Sequence, residues 1–433
     1  MKLKKLATAL SLLAMGFQLF ACAAQNPAQP SGSETPSQPD APSSASPTGL
    51  SVQPLSGNGE SKEPDADFAA ASAEFAANLL KHVSVSGENA VVSPYSVLIA
   101  LSMTANGASA ETLAQMEAVL GLPVGQLNAY LLACGQKNTA ELNAANAIWL
   151  REDYPVSEDF LQCNRDYYGA EVESAPFNDD TRDRINSWVK KQTKGMIEKI
   201  LDEIDPDSVM YLVNALAFKA NWKWEYREDD ARPDVFHGAS GDRMATLLYS
   251  DEHYYLHDEN TTGFLKDYEN DRFCYVVLLP DKDVSLADYV ASLSGEKLTA
   301  LIANASNESL HAVMPKFTND CTVELSEALQ AMGMPDAFDK DKADFSAMSP
   351  VADETALRIG RVLHRTYLLV NETGTEAAAA TAVDMVAETA AMPQEKKTVR
   401  VDRPFVCGIY DREAQCFLFL GAIYDVQAGG FLG

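Results

Sequence analysis

The chain has 433 residues, of which 46% are hydrophobic and 22% are charged, so it can bury a sizeable folded core. Its 62 acidic and 34 basic residues give a formal net charge of -28, and this charge repels phosphate backbones and anionic lipid surfaces. The composition therefore argues against a nucleic-acid partner.

The N-terminus has the pattern of an export signal. Three lysines precede an apolar segment, Leu6 to Phe20, that is too short for a stable membrane span. The segment ends in Leu19-Phe20-Ala21-Cys22, which resembles the lipobox of bacterial lipoproteins, where the signal is removed before a cysteine that receives lipid. We predict a signal peptide over residues 1–21, a lipid anchor at Cys22 and an exported, membrane-anchored protein at the cell surface. A plain secretory signal, and hence a secreted protein, is the alternative.

Residues 22–64 are predicted to form a disordered linker. They are rich in Pro, Ser, Gln and Gly, and they cannot bury enough apolar surface to offset the entropy of the chain. Such a linker suits a folded domain that is tethered to a lipidated cysteine. The folded domain is predicted over residues 65–433.

Hydrophobic spacing predicts helices at several places in this domain. Apolar residues begin to recur at helical spacing from Asp65, and Ser93 followed by Pro94 is a typical helix start. The predicted helices run from Asp65 to Val83, Ser93 to Asn106, Ala110 to Leu120, Thr181 to Ile200 and Glu324 to Met332.

Strand patterns dominate the second half of the domain. The predicted strands are Asn143 to Leu150, Val209 to Ala220, Met244 to Tyr255, Phe273 to Leu279, Leu310 to Met314, and a closing hairpin of Phe405 to Tyr410 with Cys416 to Leu420. Helices early and strands late indicate an α+β fold rather than a βαβ repeat.

The seven cysteines and the histidines do not form a recognisable metal or disulfide pattern. In the closing hairpin, a natural pairing puts Ile409 opposite Cys416 and leaves Cys407 displaced, so we expect core thiols. His253 and His257 lie on one face of a strand without an evident third ligand, and they are interpreted as ordinary histidines. No nucleophile elbow, phosphate loop or dinucleotide motif is present, so neither an enzyme nor a cofactor is expected.

Five stretches carry motifs that occur together in one protein family. They are Ser93-Pro94-Tyr95-Ser96-Val97; residues 213–222, with Ala220 where the family usually has Gly; Met314-Pro315-Lys316-Phe317; Glu372 to Thr381; and Arg403-Pro404-Phe405 with Phe419-Leu420-Gly421. In this order they resemble the serpin family of large single-domain protease inhibitors. The resemblance implies N-terminal helices around a large central mixed β-sheet, further sheets, and an exposed reactive-centre loop at about residues 372–397.

The Ala-rich stretch from Asn371 to Met392 is the centre of this resemblance. Helix propensity predicts a helix here, whereas its position between two strands predicts a long connector. Its first part is similar to the hinge of inhibitory serpins, which inserts into the central sheet after the loop is cut. The hinge residues are Glu372, Gly374, Thr375, Glu376, Ala377, Ala378, Ala379, Ala380 and Thr381. Thr375, Ala377, Ala379 and Thr381 alternate and are small and uncharged, so they can pass into the sheet interior, while Glu376 has the opposite parity.

The resemblance also implies roles for residues outside the loop. It places Ser93, Ser96, Asn214 and His364 together as a hydrogen-bonded cluster under the sheet where the strands part, and it places Trp222 where the loop inserts. Without it, these residues would be a helix cap, satisfied buried polar groups and core side chains.

The resemblance implies a suicide inhibitor of serine proteases, with cysteine proteases as further candidates. The family spacing puts the reactive bond at Glu388-Thr389, and a longer loop would move it to Ala390 or Ala391. Glu388 suits a glutamate-preferring protease, whereas Thr and Ala suit an elastase-like pocket. We expect a monomer. The alternative is a non-inhibitory serpin that acts as a binding or carrier module.

Overall fold

The computed structural model describes residues 58–205, 208–375 and 396–427. The predicted signal peptide, Cys22 and most of the linker lie outside the described residues. So do the predicted hinge residues from Glu376 to Thr381 and the candidate bond residues Glu388, Thr389, Ala390 and Ala391.

The first helix shows why the folded part begins where the hydrophobic spacing begins. Helix α1 (Ala66–Val83) starts after Asp65, whose carboxylate accepts the N–H groups of Asp67 and Phe68 at 3.1 and 3.3 Å. Phe68 and Phe75 lie on its buried face. A capped, amphipathic helix of this kind packs one side on the core.

The remaining helices follow in chain order, and most lie in the first half of the described chain. They are α2 (Pro94–Ala105), α3 (Ala110–Leu120), α4 (Val124–Gln136), α5 (Glu158–Tyr168), α6 (Asp179–Gln192), α7 (Leu286–Ser292), α8 (Gly295–Ala303), α9 (Ser326–Met332) and α10 (Ala352–Thr355). Helix α6 ends eight residues before the predicted limit of Ile200, because Lys194 and Gly195 adopt left-handed backbone angles, with φ of 55° and 87°. Helices α4, α5, α7, α8 and α10 were not predicted. In the described part of the chain, no single helix has the length and hydropathy of a membrane span, although the bent pair α3 and α4 reaches both limits together.

Sixteen strands are found among the described residues. They are β1 (Ala90–Val92), β2 (Leu142–Arg151), β3 (Glu171–Ala175), β4 (Met210–Phe218), β5 (Ala220–Asn221), β6 (Ala231–Gly238), β7 (Gly241–His257), β8 (Thr261–Asp267), β9 (Phe273–Pro280), β10 (Ser306–Pro315), β11 (Phe317–Glu324), β12 (Leu363–Val370), β13 (Gly374–Thr375), β14 (Lys397–Arg400), β15 (Phe405–Asp411) and β16 (Cys416–Ile423). The prediction of an α+β fold is confirmed.

The largest sheet contains the continuous apolar strands. Its order is β1-β16-β15-β9-β8-β7-β10-β14, and β6 pairs with β7. Every residue of β9, β15 and β16 is buried, as expected for strands covered on both faces. This sheet forms a large part of the hydrophobic core.

The closing hairpin has a different register from the predicted one. Cys416 pairs with Asp411, and Ile409 pairs with Phe419. The Asp411 carboxylate accepts the N–H groups of Glu413 and Ala414 at 2.9 and 3.1 Å, which tightens the turn, and the register shifts after Ile409. The expectation of core thiols is confirmed, since Cys407 and Cys416 are both buried and free.

Two smaller sheets meet along the course of β4 and β5. One has the order β3-β2-β4 and the other β11-β12-β13-β5, and Lys219 alone separates β4 from β5. In the part of the chain that the structure describes, β4 and β12 exchange no strand pairing. The two strands therefore lie on opposite sides of a gap.

Candidate functional site

A groove of about 850 Å³ lies in the gap between β4 and β12. Residues of both strands line it, together with the first turns of α2 and the segments 200–205 and 356–362. Its lining includes the polar residues Ser93, Ser96, Asn214, His364 and Thr366. The groove is thus a space between two strands with a partly polar lining.

Strand β13 closes one end of this gap, next to β5, and we call it the upper end. Thr375 pairs with Val370 of β12 on one side and with Ala220 of β5 on the other, and Gly374 pairs with Asn221. A Cβ at position 374 would lie 2.1 Å from the carbonyl oxygen of Ala220, so this close approach requires glycine. Two predicted hinge residues therefore already occupy the sheet as a strand, and the helix prediction is wrong for Gly374 and Thr375.

Three aromatic residues, Trp222, Tyr226 and Tyr268, bind this hinge, and we call them the hinge seat. The backbone N–H groups of Trp222 and Tyr226 donate to the carbonyl oxygens of Thr373 and Glu372, both at 2.9 Å. The Tyr268 hydroxyl lies 2.6 Å from Thr375 Oγ1, and its ring stacks on Trp222 with centroids 4.6 Å apart. The structure thus places Trp222, predicted where the loop inserts, in direct contact with the hinge.

The turn before the hinge is held by its own side chains. The Asn371 side-chain oxygen accepts the N–H groups of Thr373 and Gly374, both at 3.0 Å. The backbone carbonyl oxygen of Asn371 accepts Trp222 Nε1 at 2.9 Å. Glu372 forms an ion pair with Lys316 at 2.9 Å. The chain therefore turns sharply after β12 and enters the sheet at Gly374.

The structure brings all four predicted cluster residues together. The backbone N–H of Ser93 donates to His364 Nε2 at 2.9 Å, and the N–H of Ser96 donates to Ser93 Oγ at 3.2 Å. The Ser96 hydroxyl donates to Asn214 Oδ1. The N-terminus of α2 therefore binds β12 through His364 and β4 through Asn214.

Sequence reasoning missed a further member of this polar cluster, Asn146 on β2. Asn214 Nδ2 donates to Asn146 Oδ1 at 2.8 Å, and Asn146 Nδ2 donates to the carbonyl oxygen of Tyr168 at 2.9 Å. Asn146 is 2% exposed. The signal was an asparagine flanked by apolar residues in a strand, since a buried amide needs partners.

The protonation state of His364 follows from its burial. Burial lowers the pKa of His364 from its usual 6.5 to about 4, so the imidazole is neutral at pH 7. A neutral ring can accept the Ser93 N–H at Nε2 and carry its proton on Nδ1. The contact with Ser93 thus depends on the neutral form.

The two histidines four residues apart lie elsewhere, on β7. His253 packs against Trp224, with ring centroids 5.6 Å apart, and His257 packs against Tyr255 at 5.3 Å. Among residues 58–205, 208–375 and 396–427, no group of three or more His, Cys, Asp or Glu side chains is arranged for a metal ion.

Comparison with known proteins agrees with this geometry. The family model described as serpin (serine protease inhibitor) matches residues 70–426. An uncharacterized serpin-like protein of Thermococcus kodakarensis is 30% identical over 367 residues, which cover 82% of this chain and 85% of the relative.

Two solved structures show the same fold. Native tengpin, a thermophilic serpin, is 40% identical with a TM-score of 0.79 and covers 85% of this chain and 96% of its own. Thyroxine-binding globulin, solved in complex with thyroxine, is 26% identical with a TM-score of 0.71 and covers 83% of this chain and 99% of its own. With the parted sheet, the inserted hinge and the family match over most of its length, this chain belongs to the serpin family, whose members are in general protease inhibitors.

Proposed function

We propose that this protein inhibits serine proteases as a suicide substrate, with cysteine proteases as further candidates. A protease cuts the reactive loop, and the loop inserts into the groove between β4 and β12 while the protease is still acyl-linked to it. One observation carries the proposal: Gly374 and Thr375 already pair between β5 and β12, and the unfilled groove continues from them.

The strand geometry explains why insertion is favourable. A strand that continues β13 along the groove would run antiparallel to both β12 and β4, as β13 runs to β12 and β5. The new strand would give hydrogen-bond partners to the backbone groups along the facing edges of β4 and β12. In the described structure these two strands do not pair with each other. The fourteen residues from Thr375 to Glu388 would span about 45 Å as an extended strand.

The alternation of hinge side chains between the interior and the solvent also supports loop insertion. Thr375 is 3% exposed, and its side chain points into the molecule toward Tyr268. Since side chains alternate in a strand, Ala377, Ala379 and Thr381 would face the same interior, and Glu376 would face solvent. These four inward hinge positions are small and uncharged, so none of their side chains would oppose insertion.

The loop sequence narrows the target protease. We propose Glu388-Thr389 as the reactive bond, with Ala390 and Ala391 as alternatives, and hence a glutamyl-specific or elastase-like serine protease. Trypsin-like proteases fit less well, because no Lys or Arg occurs between the hinge and Lys396.

The location follows from the N-terminal sequence. We propose export through the signal peptide at residues 1–21 and attachment of a monomer to the cell surface through lipid on Cys22. The net charge of -28 argues against nucleic acid as a partner, and the protein contacts the membrane through its anchor alone.

A protease panel tests the inhibitory function. We expect a denaturant-stable covalent complex with at least one elastase-like, glutamyl-specific or subtilisin-like protease, and mass spectrometry of the released fragment locates the cut bond. Thr375→Arg should turn the protein into a substrate, because a buried cation in the sheet stalls insertion.

Two further variants control for a simple loss of folding. Ala379→Arg has the same parity and leaves the Tyr268 contact with Thr375 intact, so it should also convert the inhibitor into a substrate. Glu376→Arg, at the opposite parity, should still trap protease. An unchanged yield of covalent complex from both inward variants would reject loop insertion as the mechanism.

A second candidate function rests on the similarity to thyroxine-binding globulin. That protein was solved with bound thyroxine, so a non-inhibitory binding or carrier role is compatible with this fold. The small, uncharged inward hinge positions favour the inhibitor. Cleavage of the loop without trapping of any protease in the panel would favour the carrier.

A further inference from the structure

A buried ion pair lies behind the hinge seat. Lys266 of β8 and Glu252 of β7 are 2.8 Å apart, and their side chains are 2% and 3% exposed. Removing two charges from water is costly, and such a pair generally stabilises a fold little more than apolar side chains of similar size. The contacts of Lys266 indicate what the pair does here.

Lys266 contacts three alternating residues of the segment that follows β5. Its ammonium donates to the carbonyl oxygen of Trp224 at 3.2 Å. It also lies 4.4 Å from the ring centroid of Tyr226 and 5.4 Å from that of Trp222, within the range of cation–π attraction. One cation therefore holds both rings and the backbone between them.

Glu252 completes the arrangement from the other side. Its Oε1 accepts the Lys266 ammonium and also the Ser250 hydroxyl, at 2.7 Å. The Ser250 hydroxyl in turn lies 3.3 Å from the Tyr226 hydroxyl. The ion pair and its hydrogen bonds thus contact both the face of the Tyr226 ring and its hydroxyl.

The same segment binds the hinge on its other side. Trp222 and Tyr226, whose rings lie near Lys266, donate their N–H groups to the hinge carbonyl oxygens of Thr373 and Glu372. Trp222 Nε1 donates to the carbonyl oxygen of Asn371. The segment 222–226 therefore contacts the buried cation on one side and the hinge on the other.

We infer that Lys266 and Glu252 act as a positioning pair that holds residues 222–226 in the geometry that seats the hinge. The second step rests on the proposed function. By holding residues 222–226, the ion pair keeps the strand pairs of β13 in place, so that the cut loop enters the sheet before the acyl bond is hydrolysed. An apolar side chain at position 266 would fill the space but would leave the Trp224 carbonyl oxygen without its donor.

The direct test is amide hydrogen exchange in the full chain carrying Lys266→Met and Glu252→Gln together. The double variant removes both charges, so neither is left buried alone. Exchange at the amides of Trp222 and Tyr226 should become about ten-fold faster or more, because these donors hold the hinge. Exchange at Leu216 of β4 should stay unchanged.

Lys297→Met is the matched control. Lys297 lies 4.4 Å from the ring centroid of Tyr289 and 3.2 Å from Asp258, which repeats the cation, ring and carboxylate arrangement away from the hinge. It should leave exchange at Trp222 and Tyr226 unchanged. If the double variant does not fold, Lys266→Gln together with Glu252→Gln also removes both charges and keeps hydrogen-bonding side chains, so it should give a smaller change in the same direction.

The functional readout separates this inference from the proposed function. The double variant should consume several-fold more inhibitor for each protease molecule trapped, while the loop is cut at the same rate. Unchanged exchange at Trp222 and Tyr226, or an unchanged stoichiometry with a trapped protease, overturns the inference. Faster exchange in a protein whose parent chain traps no protease would support the positioning role and reject the inhibitory function.

Discussion

The upper and lower parts of the gap between β12 and β4–β5 are built in different ways. At the upper end β13 fills the gap, and the aromatic side chains of Trp222 and Tyr268 pack against the inserted residues. Along the lower part, β4 and β12 share no strand pairing in the described structure, and a groove of about 850 Å³ separates them. One end of the sheet is thus filled while the other is open.

The lower part is bridged by helix α2, and the two strands do not pair there in the described part of the chain. Ser93 binds His364 of β12, and Ser96 binds Asn214 of β4, so the first turn of α2 bridges both edges of the groove. Small hydrogen-bonded side chains can rearrange when a strand enters, whereas the packed rings at the upper end fix its starting point. Under the proposed mechanism, insertion would begin at the aromatic end and proceed through the polar end.

The largest loss of stability is expected from a substitution at the upper end of the gap. Trp222→Ala should lower the free energy of unfolding by about 3–5 kcal/mol, because it leaves a cavity in the core. It also removes the ring that stacks on Tyr268 and the hydrogen bond to the Asn371 carbonyl oxygen. Chemical denaturation measures this loss.

Trp224 provides the matched control for that change. Its side chain is 51% exposed, compared with 2% for Trp222, so Trp224→Ala should alter the free energy of unfolding by at most about 0.5 kcal/mol. Equal losses in the two variants would show that the aromatic end has no special role.

A smaller effect, dependent on pH, is expected from the lower end. The pKa of His364 is about 4 in the folded protein and 6.5 in its usual state, so the folded form binds fewer protons. The contribution of His364 is therefore complete above about pH 6.5 and is lost as pH falls toward 4, by an amount on the order of 3 kcal/mol.

His364→Asn supplies the comparison for this titration. Denaturation curves between pH 4 and 7 should show a steeper loss of stability in the parent chain than in the variant. Parallel pH profiles would mean that His364 is not held in its neutral form by burial.

Much of the fold and the polar cluster could be predicted because their signals are local or belong to motifs. The α+β class, the start of α1 near Asp65 and the bounds of α3 came from hydrophobic spacing and from the glycine that follows α3. The residues Ser93, Ser96, Asn214 and His364 came from a family resemblance, since the hydrogen bond of His364 with Ser93 joins positions 271 residues apart.

The missed features depend on tertiary contacts. Helix α5 begins with two acidic residues and is followed by Gly169, so signals for both of its ends are present in the sequence. Its mostly polar composition made the few apolar residues of its buried face difficult to recognise. The hairpin register depended on the Asp411 side chain, and the role of Lys266 depended on Glu252 and on the segment 222–226. A lysine next to the buried Phe264 and Leu265 was a signal, although its partner could not be read from the sequence.

The central claim is that the cut loop fills the open part of the sheet, and thermal unfolding before and after cleavage tests it most directly. If about ten inserted residues each contribute about 1 kcal/mol through strand hydrogen bonds, the midpoint should rise by roughly 10–15 °C. The measurement uses a protease that cuts between residues 385 and 392, with the cut located by mass spectrometry. A rise of this size is the predicted result, and a midpoint that stays the same in the fully cleaved chain would contradict the account.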